Sequence, residues 1–191
     1  MSRLVIPIPL FFLVVLAPAP AAPIPKHLVE APEVYYPMKV GTKLVYDRNG
    51  KEETRLVTNV EKVDKGTMVT TMMVATNGTK SPHMKVLLNE KGLFLAEERG
   101  EAYDSPWCIF QTPVKPGSKW DTIVSRNGSE ILRGQMTSVK LEKIKTRAGE
   151  FTAARVDWEV PGNQIRSSEW FAPEVGLVRQ DELVLKSFTP G

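Results

Sequence analysis

The sequence predicts an all-β fold: about ten antiparallel strands in two duplicated five-stranded meanders, forming a barrel or half-barrel. Three observations carry this expectation. First, the chain repeats itself. Pro37-Met38-Lys39-Val40-Gly41-Thr42-Lys43-Leu44 returns as Pro113-Val114-Lys115-Pro116-Gly117-Ser118-Lys119-Trp120, and Arg48-Asn49-Gly50-Lys51-Glu52 returns as Arg126-Asn127-Gly128-Ser129-Glu130. Further along, Glu90-Lys91-Gly92-Leu93-Phe94 matches Glu174-Val175-Gly176-Leu177-Val178. A unit that cannot bury its own apolar face packs against its twin. Second, three Asn-Gly pairs, at 49–50, 77–78 and 127–128, punctuate the chain. Asn and Gly best tolerate the positive φ of two-residue hairpin turns. Third, Thr152 to Val160 alternates cleanly. Ala154, Val156, Trp158 and Val160 point one way and Ala153, Arg155, Asp157 and Glu159 the other, the pattern of a sheet with one buried face.

The elements follow in order. Arg3, the apolar run Leu4 to Leu16 and the small residues Ala17 to Ala22 have the charged, apolar, small-residue order of an export signal over residues 1–22. The run is too short to span a bilayer, and no later run reaches membrane length. No membrane span is therefore expected in the mature chain. Residues 23–34 form a proline-rich leader. The remainder, 35–191, reads as one β domain with internal repeats at 37–104 and 113–188. The first repeat gives strands near 43–48, 52–63, 67–76, 83–89 and 93–98. The second gives 119–126, 130–145, 151–160, 164–172 and 177–187, with Pro161-Gly162-Asn163 as a further turn. Tyr103 to Phe110, followed by a Pro/Gly segment through Gly117, reads as a crossover between the twins.

Composition excludes several functions. The formal net charge is +3 and both signs are interspersed without blocks, so no nucleic-acid footprint is expected. The single cysteine, Cys108, forms no internal disulfide. As a nucleophile Cys108 would need an adjacent base, and the domain offers only His83, since His27 lies in the leader. The alternative is a buried, inert thiol beside Trp107. One cysteine and one usable histidine make a poor metal set, and no cofactor motif is present. The chain thus reads as non-enzymatic, although carboxylate pairs brought together across strands are invisible in sequence.

The binding candidates are Met68, Met72 and Met84, with Trp107, Trp158 and Trp170. Flexible thioethers suit an adaptable ligand surface and equally suit an irregular core. Buried indoles need partners for their N–H groups whatever their role. The expected partner is an apolar small molecule held inside the barrel or a protein of the cell envelope met at a sheet edge.

Several motifs occur together: Tyr36-Pro37 with Gly41 and Tyr46, Pro106-Trp107-Cys108, Lys115-Pro116-Gly117 with Trp120, Ala148-Gly149-Glu150-Phe151, and Trp170-Phe171-Ala172-Pro173-Glu174-Val175-Gly176-Leu177-Val178. With these the chain resembles the TapB-like group of exported bacterial proteins, common in planctomycetes and similar to a larger envelope family. The resemblance spans Tyr35 to Gly191 and departs at Leu44, where the group often has tryptophan. It implies an exported location and supplies no catalytic residues to carry over. Its fold-level likeness to periplasmic lipoprotein-carrier half-barrels implies apolar ligand binding.

Overall fold

The computed structural model describes residues 33–162 and 165–191. These form twelve strands and no helix. The first half gives β1 (Lys43–Arg48), β2 (Lys51–Val63), β3 (Gly66–Val74), β4 (Lys80–Asn89), β5 (Gly92–Glu98) and β6 (Glu101–Gln111). The second gives β7 (Lys119–Arg126), β8 (Ser129–Thr146), β9 (Gly149–Val160), β10 (Ile165–Ala172), β11 (Gly176–Gln180) and β12 (Leu183–Thr189). The spatial order is β6-β5-β4-β3-β2-β1-β12-β11-β10-β9-β8-β7. Each strand pairs antiparallel with its neighbour in that order, and β1 with β12 joins the two halves. The result is a nearly closed up-and-down barrel.

The closure at β6 and β7 uses side chains. Among the described residues no backbone ladder joins these two strands. Instead Trp120 Nε1 donates to the Cys108 carbonyl at 3.1 Å, and the Gly128 amide donates to Asp104 Oδ2 at 3.0 Å. Arg126 pairs with Glu101 and lies 4.6 Å over the Tyr103 ring.

Each half holds six strands, where five were expected. The crossover of the sequence reading is β6. Arg99 and Gly100, at φ 52° and 86°, make a tight turn that sends the chain straight back along β5. Arginine is not a usual signal for that backbone, and Pro106 argues against a ladder strand. An edge tolerates proline because one side of the strand donates to no neighbour. The expected strand 177–187 is two strands, broken at Asp181 (φ 47°) and Glu182. The Asp181 carboxylate holds this turn by accepting from the Ser168 amide at 3.0 Å and from the Ser167 hydroxyl at 2.8 Å.

Asn49-Gly50 and Asn127-Gly128 adopt positive φ at both positions, as primed hairpin turns require. Asn77-Gly78 does not. Only Gly78 is positive, and the turn widens to Ala75–Thr79, closed by the Ala75 amide on the Thr79 carbonyl at 2.9 Å. The export signal and most of the leader lie outside the described residues, as does part of the turn after Pro161.

The core begins at Tyr35, whose ring lies 4.8 Å from Phe110, which in turn lies 4.9 Å from Phe171. This aromatic row joins the N-terminal segment to both halves. Ala154 and Val156 are buried with it, on the face the alternation of β9 assigns to the core. The opposite face is not uniformly wet. Ala153 is fully buried in a second cluster with Trp170, Val178 and Leu185.

Candidate ligand cavity

The barrel interior is not filled. A cavity of about 420 Å³ lies within it, lined from both halves. Its two sides differ in chemistry because different strands face it.

The strands on either side of the β6/β7 closure supply an aromatic and aliphatic wall. Leu95 comes from β5, Trp107 and Ile109 from β6, Val124 from β7, Leu132 from β8 and Trp158 from β9. The Trp107 and Trp158 rings are 6.0 Å apart, and Tyr103 meets Trp107 edge-on at 6.2 Å. Trp158 is seated by Gly134 on β8, since a Cβ there would come within 2.5 Å of its Nε1. Polar groups on this side are few. Glu98 accepts from the Tyr103 hydroxyl at 2.9 Å. Ile131, 54% exposed, also borders the cavity, so an apolar residue stands between the interior and solvent.

The strands around the β1/β12 junction supply a polar wall. Arg55, on β2, shares its strand face with Val57, which is fully buried. Its Nε and Nη2 donate to Glu53 Oε1 at 2.7 and 2.6 Å, and its guanidinium sits 4.4 Å over the Tyr46 ring. Stacking on the ring and pairing with the carboxylate hold the cation in place. The Tyr46 hydroxyl donates to the Leu177 carbonyl at 2.8 Å. Across the β1/β12 pair, Glu169 accepts from Gln180 Nε2 at 2.9 Å. His83 is 9% exposed, and its Nε2 has no partner.

These environments shift proton affinities in opposite directions. Burial pushes Glu169 up to about 7; the nearby Asp181 charge adds to this and Arg55 opposes it. Burial, with the Arg55 charge next, pulls His83 down to about 4. Burial raises the Tyr46 phenol to about 12. Desolvation disfavours whichever form is charged. At neutral pH the imidazole is therefore neutral, and Glu169 holds its proton well above the usual carboxylate range.

Of the sequence candidates, Met84, Trp107 and Trp158 line the cavity. Met68 and Met72 do not. They alternate with Val69 and Thr71, which are buried, so they take the opposite face of β3. Trp170 also lies away from it. Its Nε1 donates to Glu142 at 2.7 Å, and Arg155 and Arg179 sit 5.4 and 5.0 Å from its ring. Cys108 falls on β6 between Trp107 and Ile109, which face the cavity, and burial pushes its thiol up to about 11. A protonated thiol and a weakly basic imidazole do not make a nucleophile and its base. The sequence reading missed Arg55, Glu53, Glu169 and Tyr46. One signal was present: Glu53, Arg55 and Val57 are spaced by two, which puts two charges on the face of an apolar core residue.

No protein-family model matches the chain, and no curated protein matches its sequence. Solved structures do match. One is an exported protein, so designated, with a YmcC-like fold from Bacteroides fragilis: 17% identity, 82% of this chain and 99% of that one covered, TM-score 0.53. Another, designated a lipoprotein, is from Parabacteroides distasonis: 19% identity, 84% and 100% covered, TM-score 0.47. At the identity of the first, what is shared is the architecture: this chain has the YmcC-like fold.

Proposed function

We propose that this protein is an exported, non-catalytic binding protein that holds an apolar or lipid-like small molecule inside its barrel. The observation that carries the reading is the cavity of about 420 Å³ between an aromatic-aliphatic wall and a small polar wall. Sites for small molecules commonly have this size, this mostly apolar lining and a few convergent polar groups. Export is supported by the charged, apolar and small-residue order of residues 1–22 and by the designation of the Bacteroides fragilis relative as an exported protein. Membership of the TapB-like group rests on the shared motifs. Descent of 37–104 and 113–188 from one ancestral meander is supported by the recurring motifs and by six consecutive antiparallel strands in each half.

Native mass spectrometry of the protein from its own host, with displacement of the uncharged apolar dye Nile red, tests the reading. Retained mass and dye binding are expected. A clean apo mass together with no dye binding would refute it.

A second reading is an envelope component acting through protein contact. What favours it is the pair of edges at β6 and β7, which lack a backbone ladder and are the natural place for an added strand. Cross-linking in cells from a residue on β6 tests this, and recovery of no partner would count against it.

A further inference from the structure

The next inference rests on the binding reading and names the chemistry of the ligand. We propose that the cavity takes a single-chain amphiphile with an uncharged hydrogen-bonding head, an alcohol or monoester, its head between Arg55, His83 and Glu169 and its chain against Trp107, Trp158 and Val124.

The charge inventory of the polar wall selects the head. Arg55 is the cation there, and Glu53 already takes two of its donors. Glu169 is a second carboxylate served by the same cation, with Asp181 close enough to act on it. An anionic head would therefore be a further negative charge without a free cation. A cationic head would find Glu169 as a counter-charge only in competition with Arg55, which already acts on it, and Arg99 beyond also acts on His83. Burying an unpaired charge costs far more than burying a hydroxyl or ester that finds hydrogen-bond partners.

The polar wall also has unmet hydrogen-bonding capacity. His83 Nε2 is buried without a partner although its residue lines the cavity. Of the two Glu169 oxygens, Oε1 is engaged, by Gln180. A hydroxyl both donates and accepts, so one head group can serve the carboxylate and the imidazole together. An unmet buried polar group in a folded protein calls for an explanation, and a ligand head supplies one. The opposite wall is mostly apolar: its carboxylate, Glu98, is occupied by Tyr103, and its unpartnered polar atoms are the indole N–H groups of Trp107 and Trp158.

The test compares three heads on one chain length. Purified protein is loaded with Nile red near pH 8 and titrated with decanol, decanoate and decylamine. Decanol should displace the dye at least about tenfold more effectively than either charged relative, a difference of one charge burial. Glu169→Gln should narrow the gap between decanoate and decanol. His83→Phe should weaken decanol roughly fivefold relative to Nile red, whose own affinity is measured for the same variant, the loss of one hydrogen bond. If His83→Phe does not fold, the three-head comparison in the wild type and in Glu169→Gln decides. Decanoate or decylamine binding as well as decanol would overturn the head-group assignment while the binding reading stands. Failure of Nile red to bind, with no retained mass, would overturn both.

Discussion

The indole N–H of Trp120 reaches across to the carbonyl of Cys108 at 3.1 Å and ties two strands that no ladder of the described backbone joins. Trp120 is buried, so its N–H has no water to fall back on. Trp120→Phe keeps an aromatic ring and removes the donor. The expected loss is about 1–2 kcal/mol, the cost of a missing hydrogen bond plus a smaller ring. A urea melt reads the stability. Amide exchange should speed up in β6 and β7 more than in β1 and β12, and a uniform change across the barrel would contradict a local tie.

Glu169 and His83 give opposite slopes to stability against pH. Glu169 holds its proton up to about 7 when folded, above its ordinary 4.5. The folded state then binds more protons than the unfolded one between these values. Its contribution is fully present below about 4.5 and is lost as pH rises through 7. His83 titrates near 4 when folded against an ordinary 6.5. Its contribution is full above about 6.5 and is lost as pH falls towards 4. Between about 4.5 and 6.5 the two largely cancel. Glu169→Gln should leave the histidine slope exposed, so that this variant weakens as pH falls. His83→Gln should weaken instead as pH rises. Each slope is at most about 1.4 kcal/mol per pH unit for one proton. Urea midpoints across this range check both, and slopes of the same sign in the two variants would sink the assignment.

The parts of the fold that were legible in sequence are those set by local backbone chemistry. Asn49-Gly50 and Asn127-Gly128 marked their turns because few other residue pairs accept that geometry. The alternation of Ala154, Val156 and Trp158 marked its face because one side of β9 meets the core there. Arg99-Gly100 was not legible, since arginine at positive φ is held by the surrounding sheet and by no preference of its own. Asp181 hid a turn inside an apparent strand because its cap comes from Ser167 and Ser168 on another strand. The polar wall was illegible for a similar reason. Arg55 and Glu169 stand more than a hundred positions apart and meet only because β1 pairs with β12 and brings the two ends of the domain together. Met68 and Met72 share a face, as their spacing requires, but which face turns inward is decided by Val69 and Thr71.

Cys108 should behave as an inert thiol. With its ionisation raised to about 11 by burial, its thiolate fraction near neutral pH falls roughly a hundredfold below that of an ordinary cysteine. Iodoacetamide labelling of the folded protein should be slower than labelling in urea by at least that factor. Cys108→Ser should leave ligand binding and the tie to Trp120 intact, because the tie uses the backbone carbonyl. Rapid labelling of the folded protein below neutral pH would show instead an activated thiol.

Gly134 tests whether the aromatic wall is what holds a ligand. The residue needs no special backbone angle, but a Cβ added there would lie 2.5 Å from Trp158 Nε1 and 2.8 Å from the Glu159 carbonyl. The carbonyl belongs to the β8–β9 ladder and yields little, so the indole must turn away. Gly134→Ala is expected to cost about 1–3 kcal/mol, as overpacking does. It should also move Trp158 off Trp107 and change the shape of the cavity wall. Nile red affinity should drop by more than the small change expected for Met68→Ala, which lies on the other face of its strand. Intrinsic tryptophan fluorescence should shift at the same time. If the emission shifts while dye affinity stays at the wild-type value, the Trp107–Trp158 wall is packing for the barrel alone and the ligand lies elsewhere.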